Sequence, residues 1–518
     1  MGSFYDEMPD WLMAWLVKQH IFFVATSARE GHVNVSPKGM EDTFHIIDNK
    51  TVWYEDLSGS GVETISHLRE NGRITIMFTA FDKPPRIARL FGTGTVYEYG
   101  TPEYEQYIPA EKRKPGSRSV ILVDIHKVGS SCGYAVPFME FKSHRNVLEQ
   151  WAAHRERDEN AGSGKGMREY WRTKNTQSID GVPGLKFAHE TEGELKSVGV
   201  PAYARVGGPM RAWRFSCRYA CALGDFCCSL VGPVRGVCVT VLASMRARLL
   251  AVQGKTMEDS AMLMPDWLME WLVRQHIFFV ATAARDGHVN VSPKGLDDTF
   301  HIVDSKTVWY EDLCGSGVET ISHLRENGRI TVMFTAFDKP PRIVRLWGTG
   351  HVYEYGTPEY VKYIPDEKRK PGSRSVILVN IHKASSSCGY AVPFYDFISH
   401  RSTLENELAL FERRENDGTG KGLRQYWREW NTLSLDGLPG LLSAYDTIGE
   451  LKNVGVPDYA GGKKEDRNGS ARSREGKVTK EGGKGGASLS QMPSQNYLLG
   501  AMTGALAVLA CSRVVAGK

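Results

Sequence analysis

Excess charge of one sign is missing from this 518-residue chain: 64 Lys and Arg stand against 60 Asp and Glu, a formal net charge of +4. That balance gives no basic footprint for a nucleic acid, so no nucleic-acid partner is expected. Its 9 cysteines form no disulfide framework, since the repeats share only Cys132 and Cys388, with Cys314 extra in the second, and five more crowd between them; the lack of a CxxC pair argues against a zinc site, and no metal site is expected. The opening Met1-Gly2-Ser3-Phe4-Tyr5-Asp6-Glu7 has neither a basic start nor an apolar run, so it does not read as a secretory signal. Asp6 stands where a myristoylation pattern needs Ser or Thr. A reducing, cytoplasmic setting is the simplest expectation. P-loop, hydrolytic triad and dinucleotide fingerprint are lacking as well, since Gly92-Thr93-Gly94 sits inside an expected strand with no helix after it.

What the chain does contain is a long repeat. Pro9-Asp10-Trp11-Leu12-Met13 recurs as Pro265-Asp266-Trp267-Leu268-Met269, and the same spacing carries Gly61 to Gly317, His126 to His382 and Trp171 to Trp427. A period of this length is a duplicated domain rather than a solenoid, whose repeats run roughly 20–50 residues. The expected organisation is a first domain over 1–204, a Cys/Arg-rich segment over 205–259, a second domain over 260–460, a basic tether over 461–496 and an apolar segment over 497–516. The segment 205–259 is either a poorly ordered connector or the junction of two fused reading frames. Gly461–Asn496, with almost no large apolar residue, reads as disordered. Tyr497–Ala516 reads as a possible C-terminal membrane anchor, or else as a small-residue helix, because Arg513 interrupts its far end.

Within one copy, Pro9–His20 reads as a helix with Trp11, Leu12, Trp15 and Leu16 on one face. Ile21–Thr26 and His32–Ser36 form a hairpin, with Pro37 expected to end the ladder; Phe44–Ile47 and Thr51–Tyr54 form another. Gly61–Asn71 is helical, with Gly72 as its stop. Strands follow over Arg73–Ala80, Arg86–Tyr99 and Ser119–Lys127, with helices at Pro102–Tyr107, His144–Arg157 and Gly166–Lys174. The order shows no βαβ rhythm and points to an α+β fold, an antiparallel barrel with appended helices.

Three stretches bear on chemistry. In His32-Val33-Asn34-Val35-Ser36-Pro37-Lys38-Gly39, alternation puts Asn34 and Ser36 on one face, with Lys38 able to reach around the strand end. They suit the polar rim of a bound ring and its phosphate, or simply a polar outer face. In Leu57-Ser58-Gly59-Ser60-Gly61-Val62-Glu63-Thr64, a Ser/Gly loop runs into a helix N-terminus, where free N–H groups favour an anion. Glu63 opposes that and is equally suited to capping the helix. Cys132 is either a thiol near His126, His144 or His154, or a small packed residue. Arg86 and Arg89 are placed to pair across an interface or to reach a phosphate.

In this order the three stretches resemble the FMN-binding split barrels of the pyridoxamine 5'-phosphate oxidase-like family, the best parts being Ile21–Gly39, Val52–Phe78 and Arg86–Tyr99. The resemblance implies two antiparallel split β-barrels that pack as an intrachain pseudo-dimer, with FMN in the clefts between them. It further implies that Asn34, Ser36, Lys38, Ser58, Ser60 and Thr64 hold FMN, and Asn290, Ser292, Lys294, Ser316 and Thr320 do so in the second copy. Cys314 replaces Ser58 there, which removes a phosphate donor. The implied activity is FMN-dependent oxidation or reduction of a small molecule. The alternative is a non-catalytic flavin- or haem-binding protein, with His32 or His45 as axial ligand. Around Tyr170-Trp171-Arg172 and Ile179-Asp180-Gly181 the chain departs from the true oxidase, whose closing segment holds pyridoxamine phosphate. No residue stands out as a catalytic acid or base.

Overall fold

The computed structural model describes residues 2–188, 193–196 and 264–444. The expected segment 205–259, the tether and the apolar tail lie outside the described residues. No helix among the described residues is long and apolar enough to cross a membrane.

Each repeat builds one antiparallel curled sheet. Its strand order in the first is Val33–Gly39, Ile21–Ser27, Arg73–Thr79, Ile87–Glu98, Ser117–Ser131, Thr51–Leu57 and Phe44–Ile46. The second repeat keeps the same order from Val289–Gly295 to Phe300–Asp304. Helices Asp10–Leu16, Glu63–Asn71, Pro102–Tyr107, Val147–Asn160 and Met167–Lys174 are appended to the first sheet. The architecture is the α+β split barrel read from the sequence.

Two local expectations need correction. The first helix stops at Leu16 rather than His20, because the chain must turn before Ile21 enters its strand. Pro37 does not end its ladder: the strand runs on to Gly39, with Pro37 opposite Phe23. This strand is the last in its sheet, and an edge strand tolerates a residue without an N–H. Gly72, by contrast, is the helix stop it was read as, with φ 74° and its N–H bonded to the Leu68 carbonyl.

The run Ile21-Phe22-Phe23-Val24-Ala25 is buried on both faces, which explains why it is apolar throughout rather than alternating. Phe22 and Val24 point into their own barrel, whose core also holds Val52, Ile65, Leu90 and Trp171. Ile21, Phe23 and Ala25 point the other way, into a cluster shared with Ile277, Phe279 and Ala281 of the second repeat. Phe23 and Phe279 stack with ring centroids 4.0 Å apart. Further along, Phe138–Ser143 pairs antiparallel with Phe394–Ser399, one strand from each repeat. Gly39 and Gly295 sit where the other repeat's backbone comes closest: a Cβ at either would strike the carbonyl of Ala391 or Ala135. Both repeats thus fall in one compact unit.

Candidate functional site

The seam leaves a cleft whose walls come from both repeats. It is lined by Asn290, Ser292, Lys294, Ser316 and Thr320 of the second repeat and faced by Arg89 of the first. The five sequence-derived residues of the second copy therefore converge on one place, although they lie on a strand, a loop and a helix. Gly2, Ser3 and Phe4 close one side, because Ser3–Tyr5 pairs with the far end of Ser117–Ser131.

Hydrogen bonds define the polar wall, and they repeat in both copies. Asn34 is buried; its Nδ2 donates to Thr26 Oγ1 and Thr64 Oγ1, each at 3.2 Å, and its Oδ1 accepts from Ser36 Oγ at 3.0 Å. Asn290, Thr282, Thr320 and Ser292 form the same network. Each network is completed from the opposite repeat. Arg345 donates to Ser36 Oγ at 3.1 Å and to the Val35 carbonyl at 2.8 Å, while Arg89 donates to Ser292 Oγ at 3.3 Å and to the Val291 carbonyl at 2.8 Å.

Neither Arg89 nor Arg345 forms a salt bridge to a carboxylate among the described residues. Lys38 does: its Nζ lies 2.5 Å from Asp56 Oδ1, and Arg118 Nε takes the other oxygen at 2.8 Å. Burial pushes the Asp56 carboxyl up, but Arg118 and Lys38 outweigh it and bring the pKa down to about 2. Lys294, Asp312 and Arg374 repeat the triad, two cations on one carboxylate. With Arg89 added, three cations stand at the second cleft against the carboxylates of Asp312, Glu311 and Glu319, so its charges balance. Of these cations Lys294 and Arg374 are paired with Asp312, whereas Arg89 has no salt bridge among the described residues, and an anionic group fits there.

The loop residues separate. Ser60 is exposed and Ser316 half-buried beside Gly2. Ser58 faces inward: it is buried, its Oγ donates to the Gly116 carbonyl at 2.7 Å, and it accepts from Trp171 Nε1 at 2.7 Å. Its hydroxyl is used in holding Trp171, so its exchange for Cys314 does not strip a donor from the cleft wall. Its consequence lies at Trp427, whose indole N–H has no oxygen acceptor among the described residues. Glu63 folds back over Gly61, where a Cβ would meet its carboxylate.

A feature that local spacing could not reveal lies at the cleft edge. His288 Nδ1 is 2.5 Å from Asp436 Oδ1, and its backbone N–H donates to Asp436 Oδ2 at 2.9 Å. Facing a carboxylate, Nδ1 carries its proton there, and Nε2 turns to His126 Nε2 of the other repeat, 3.0 Å away. His32, Asp180 and His382 form the mirror chain, with Nε2 to Nε2 at 2.9 Å. Burial raises the Asp180 and Asp436 carboxyls, but the hydrogen bonds from His32 and His288 hold both below their ordinary value. His126 and His382 are depressed by burial first and by the facing imidazole second, so they are neutral near pH 7. His126 is therefore committed to His288 rather than to Cys132. His45 stacks on Trp53 at 4.0 Å, outside this cluster.

A curled antiparallel sheet with a cleft at the seam of two copies is the split-barrel arrangement, and comparison with known proteins agrees. A profile described as pyridoxamine 5'-phosphate oxidase matches residues 8–132 and again 264–388. The pyridoxamine 5'-phosphate oxidase family protein ustO of Aspergillus flavus is 45% identical over 196 residues, covering 36% of this chain and 79% of its own. The chain belongs to the pyridoxamine 5'-phosphate oxidase family. Among solved structures, a candidate pyridoxamine 5'-phosphate oxidase of Lactobacillus delbrueckii is 16% identical with a TM-score of 0.22, covering 25% of this chain and 98% of its own. HupZ of Group A Streptococcus is 20% identical with a TM-score of 0.19, covering 23% and 92%.

Proposed function

We propose that this chain is an FMN-dependent oxidoreductase acting on a small molecule, with one flavin in each of two clefts that the repeats build jointly as a pseudo-dimer. The observation that carries the reading is the convergence of Asn290, Ser292, Lys294, Ser316 and Thr320 opposite Arg89, a guanidinium that forms no salt bridge among the described residues. Family membership supports the flavin. FMN, when bound, supplies the redox chemistry. Lys294 and Arg89 would offset the charge of its phosphate, Ser316 would offer a hydroxyl, and the Asn290–Thr320–Ser292 network would fix the polar wall of the site. Asp436 holds His288 in one tautomer, so that His288 Nε2 can take a proton at the cleft edge while His126 Nε2–H supplies one. Lys38, Ser36, Thr64, Ser60 and Arg345 play the same parts in the first cleft, with His32 and Asp180. Ser58 acts only through Trp171.

A visible spectrum of the purified protein tests the cofactor directly: flavin bands are expected, whereas a Soret band would favour the haem-binding alternative and overturn the proposal. Titrating the apoprotein with FMN by fluorescence quenching should give two equivalents, and Arg89→Met should weaken one of them. Charge-assisted contacts are each worth roughly 1.5–3 kcal/mol, so the effect is measurable. Equal weakening of both sites would mean that Arg89 does not serve one cleft alone.

A further inference from the structure

Away from the clefts, three side chains distant in sequence come together beside the inter-repeat strand Phe394–Ser399. Ligand atoms of His276, Asp297 and His400 all lie within 4.8 Å of one another. His400 Nε2 is 3.0 Å from Asp297 Oδ1. The His276 ring is fixed by stacking on Phe397 at 3.5 Å and 8°, and stands edge-on to His400 at 5.7 Å. Asp297 is presented from a turn whose flanking residues, Leu296 and Asp298, both adopt left-handed backbone with φ 82° and 54°. That conformation is uncommon for residues other than glycine and persists where the surroundings impose it.

The first repeat rebuilds the surroundings with one change. His20 stacks on Phe141 at 3.5 Å and meets His144 at 5.6 Å, and Glu41 occupies the position of Asp297. Met40 and Asp42 adopt the same left-handed backbone. Where the repeats differ here, one carboxylate replaces another.

We propose that His276, Asp297 and His400 bind a divalent ion of the zinc type; His20, Glu41 and His144 do not gather their ligand atoms in the same way. Two imidazoles and one carboxylate are a zinc ligand set, and the outward exposure of His276 and Asp297 leaves the fourth position to water. His400 immediately precedes Arg401, which donates to the carbonyls of Val136, Ala80 and Asp82 in the first repeat. A bound ion therefore anchors the arm that crosses the seam, and the site is independent of the flavin clefts.

The test is titration of the intact, chelator-treated chain with Zn2+ by calorimetry, followed by thermal unfolding with and without the ion. His276→Gln and Asp297→Asn alter exposed side chains, so the fold is kept. Each is expected to weaken one equivalent at least tenfold and to reduce the Zn2+-induced rise in unfolding temperature, while His20→Gln leaves that equivalent unchanged. The proposal is overturned if the parent binds no Zn2+. It is equally overturned if His276→Gln and Asp297→Asn leave stoichiometry and affinity unchanged, because binding would then belong to other groups such as the cysteines of 205–259.

Discussion

Arg145 and Arg401 are the perturbations that test the seam most directly. Both are buried at 2% exposure. Arg145 donates to the carbonyls of Val392, Ala336 and Asp338, at 2.5, 2.9 and 2.7 Å, and lies over the Phe394 ring at 4.0 Å. Arg401 does the same to Val136, Ala80 and Asp82, and to Phe138 at 3.8 Å. Replacement by Met keeps much of the stem but leaves three acceptors without their donor. A buried unsatisfied group costs about 1–3 kcal/mol, and a desolvated cation–π contact adds about 2. Against this, the variant no longer has to bury a guanidinium that makes no salt bridge among the described residues, which returns several kcal/mol. The difference comes to about 2–4 kcal/mol per substitution. At 1.4 kcal/mol per factor of ten, that is roughly 30- to 1000-fold weaker association of the halves. The assay is gel filtration, over a dilution series, of protein nicked within 205–259. Parent halves should co-elute at concentrations where those of Arg145→Met separate. If both variants dissociate at the same dilution as the parent, these arginines do not hold the seam, and the shared apolar cluster does so alone.

Two further outcomes follow from buried polar groups. Cys314→Ser should restore the acceptor that Ser58 gives Trp171, and so stabilise the second repeat by about 0.5–1.5 kcal/mol, read by thermal denaturation; no gain would mean Trp427 is already satisfied. Asp56 has its pKa depressed from 3.8 to about 2, so its contribution is fully present above pH 4 and is lost as pH falls toward 2. That is about 2 kcal/mol by linkage, and Asp56→Asn should flatten this part of the acid-unfolding curve while lowering stability at pH 7. An unchanged acid limb would show that other carboxylates govern it.

Much of the barrel was legible because its signals are local. Apolar runs, turn residues and the glycine after Asn71 mark strands, hairpins and a helix end within a few residues. The candidates Asn34 and Ser36 were legible for the same reason, since a period of two fixes which residues share a face, whereas Thr64 on the following helix came only from the family resemblance. The Ser/Gly loop was not: nothing in Leu57-Ser58-Gly59-Ser60 tells which hydroxyl turns inward, and only Trp171 decides it. The partnership of His32 with Asp180 escaped because the two are separated by most of a domain. Asp180 arrives in the segment where the chain departs from the true oxidase, which marks that segment as different without saying what it supplies. Phe138–Ser143 escaped because its strand partner belongs to the other copy.

That last point bears on how the two clefts can differ. Each cleft mixes both repeats, so a change in one repeat is felt in the opposite cleft. Phe91 stands edge-on to His288 at 5.0 Å, and its larger counterpart Trp347 stands edge-on to His32 at 5.8 Å. A double-mutant cycle on FMN affinity separates this arrangement from one in which each repeat is its own site. Arg89 and Ser292 belong to different repeats but touch at 3.3 Å, whereas Arg89 and Ser36 share a repeat but serve different clefts. Residues in contact couple by about 0.5–3 kcal/mol, and residues without shared partners add within about 0.3–0.5. Arg89→Met with Ser292→Ala should therefore be non-additive, and Arg89→Met with Ser36→Ala additive. Coupling within the repeat and none across it would mean that the clefts are not shared, and that Arg89 serves the barrel it comes from.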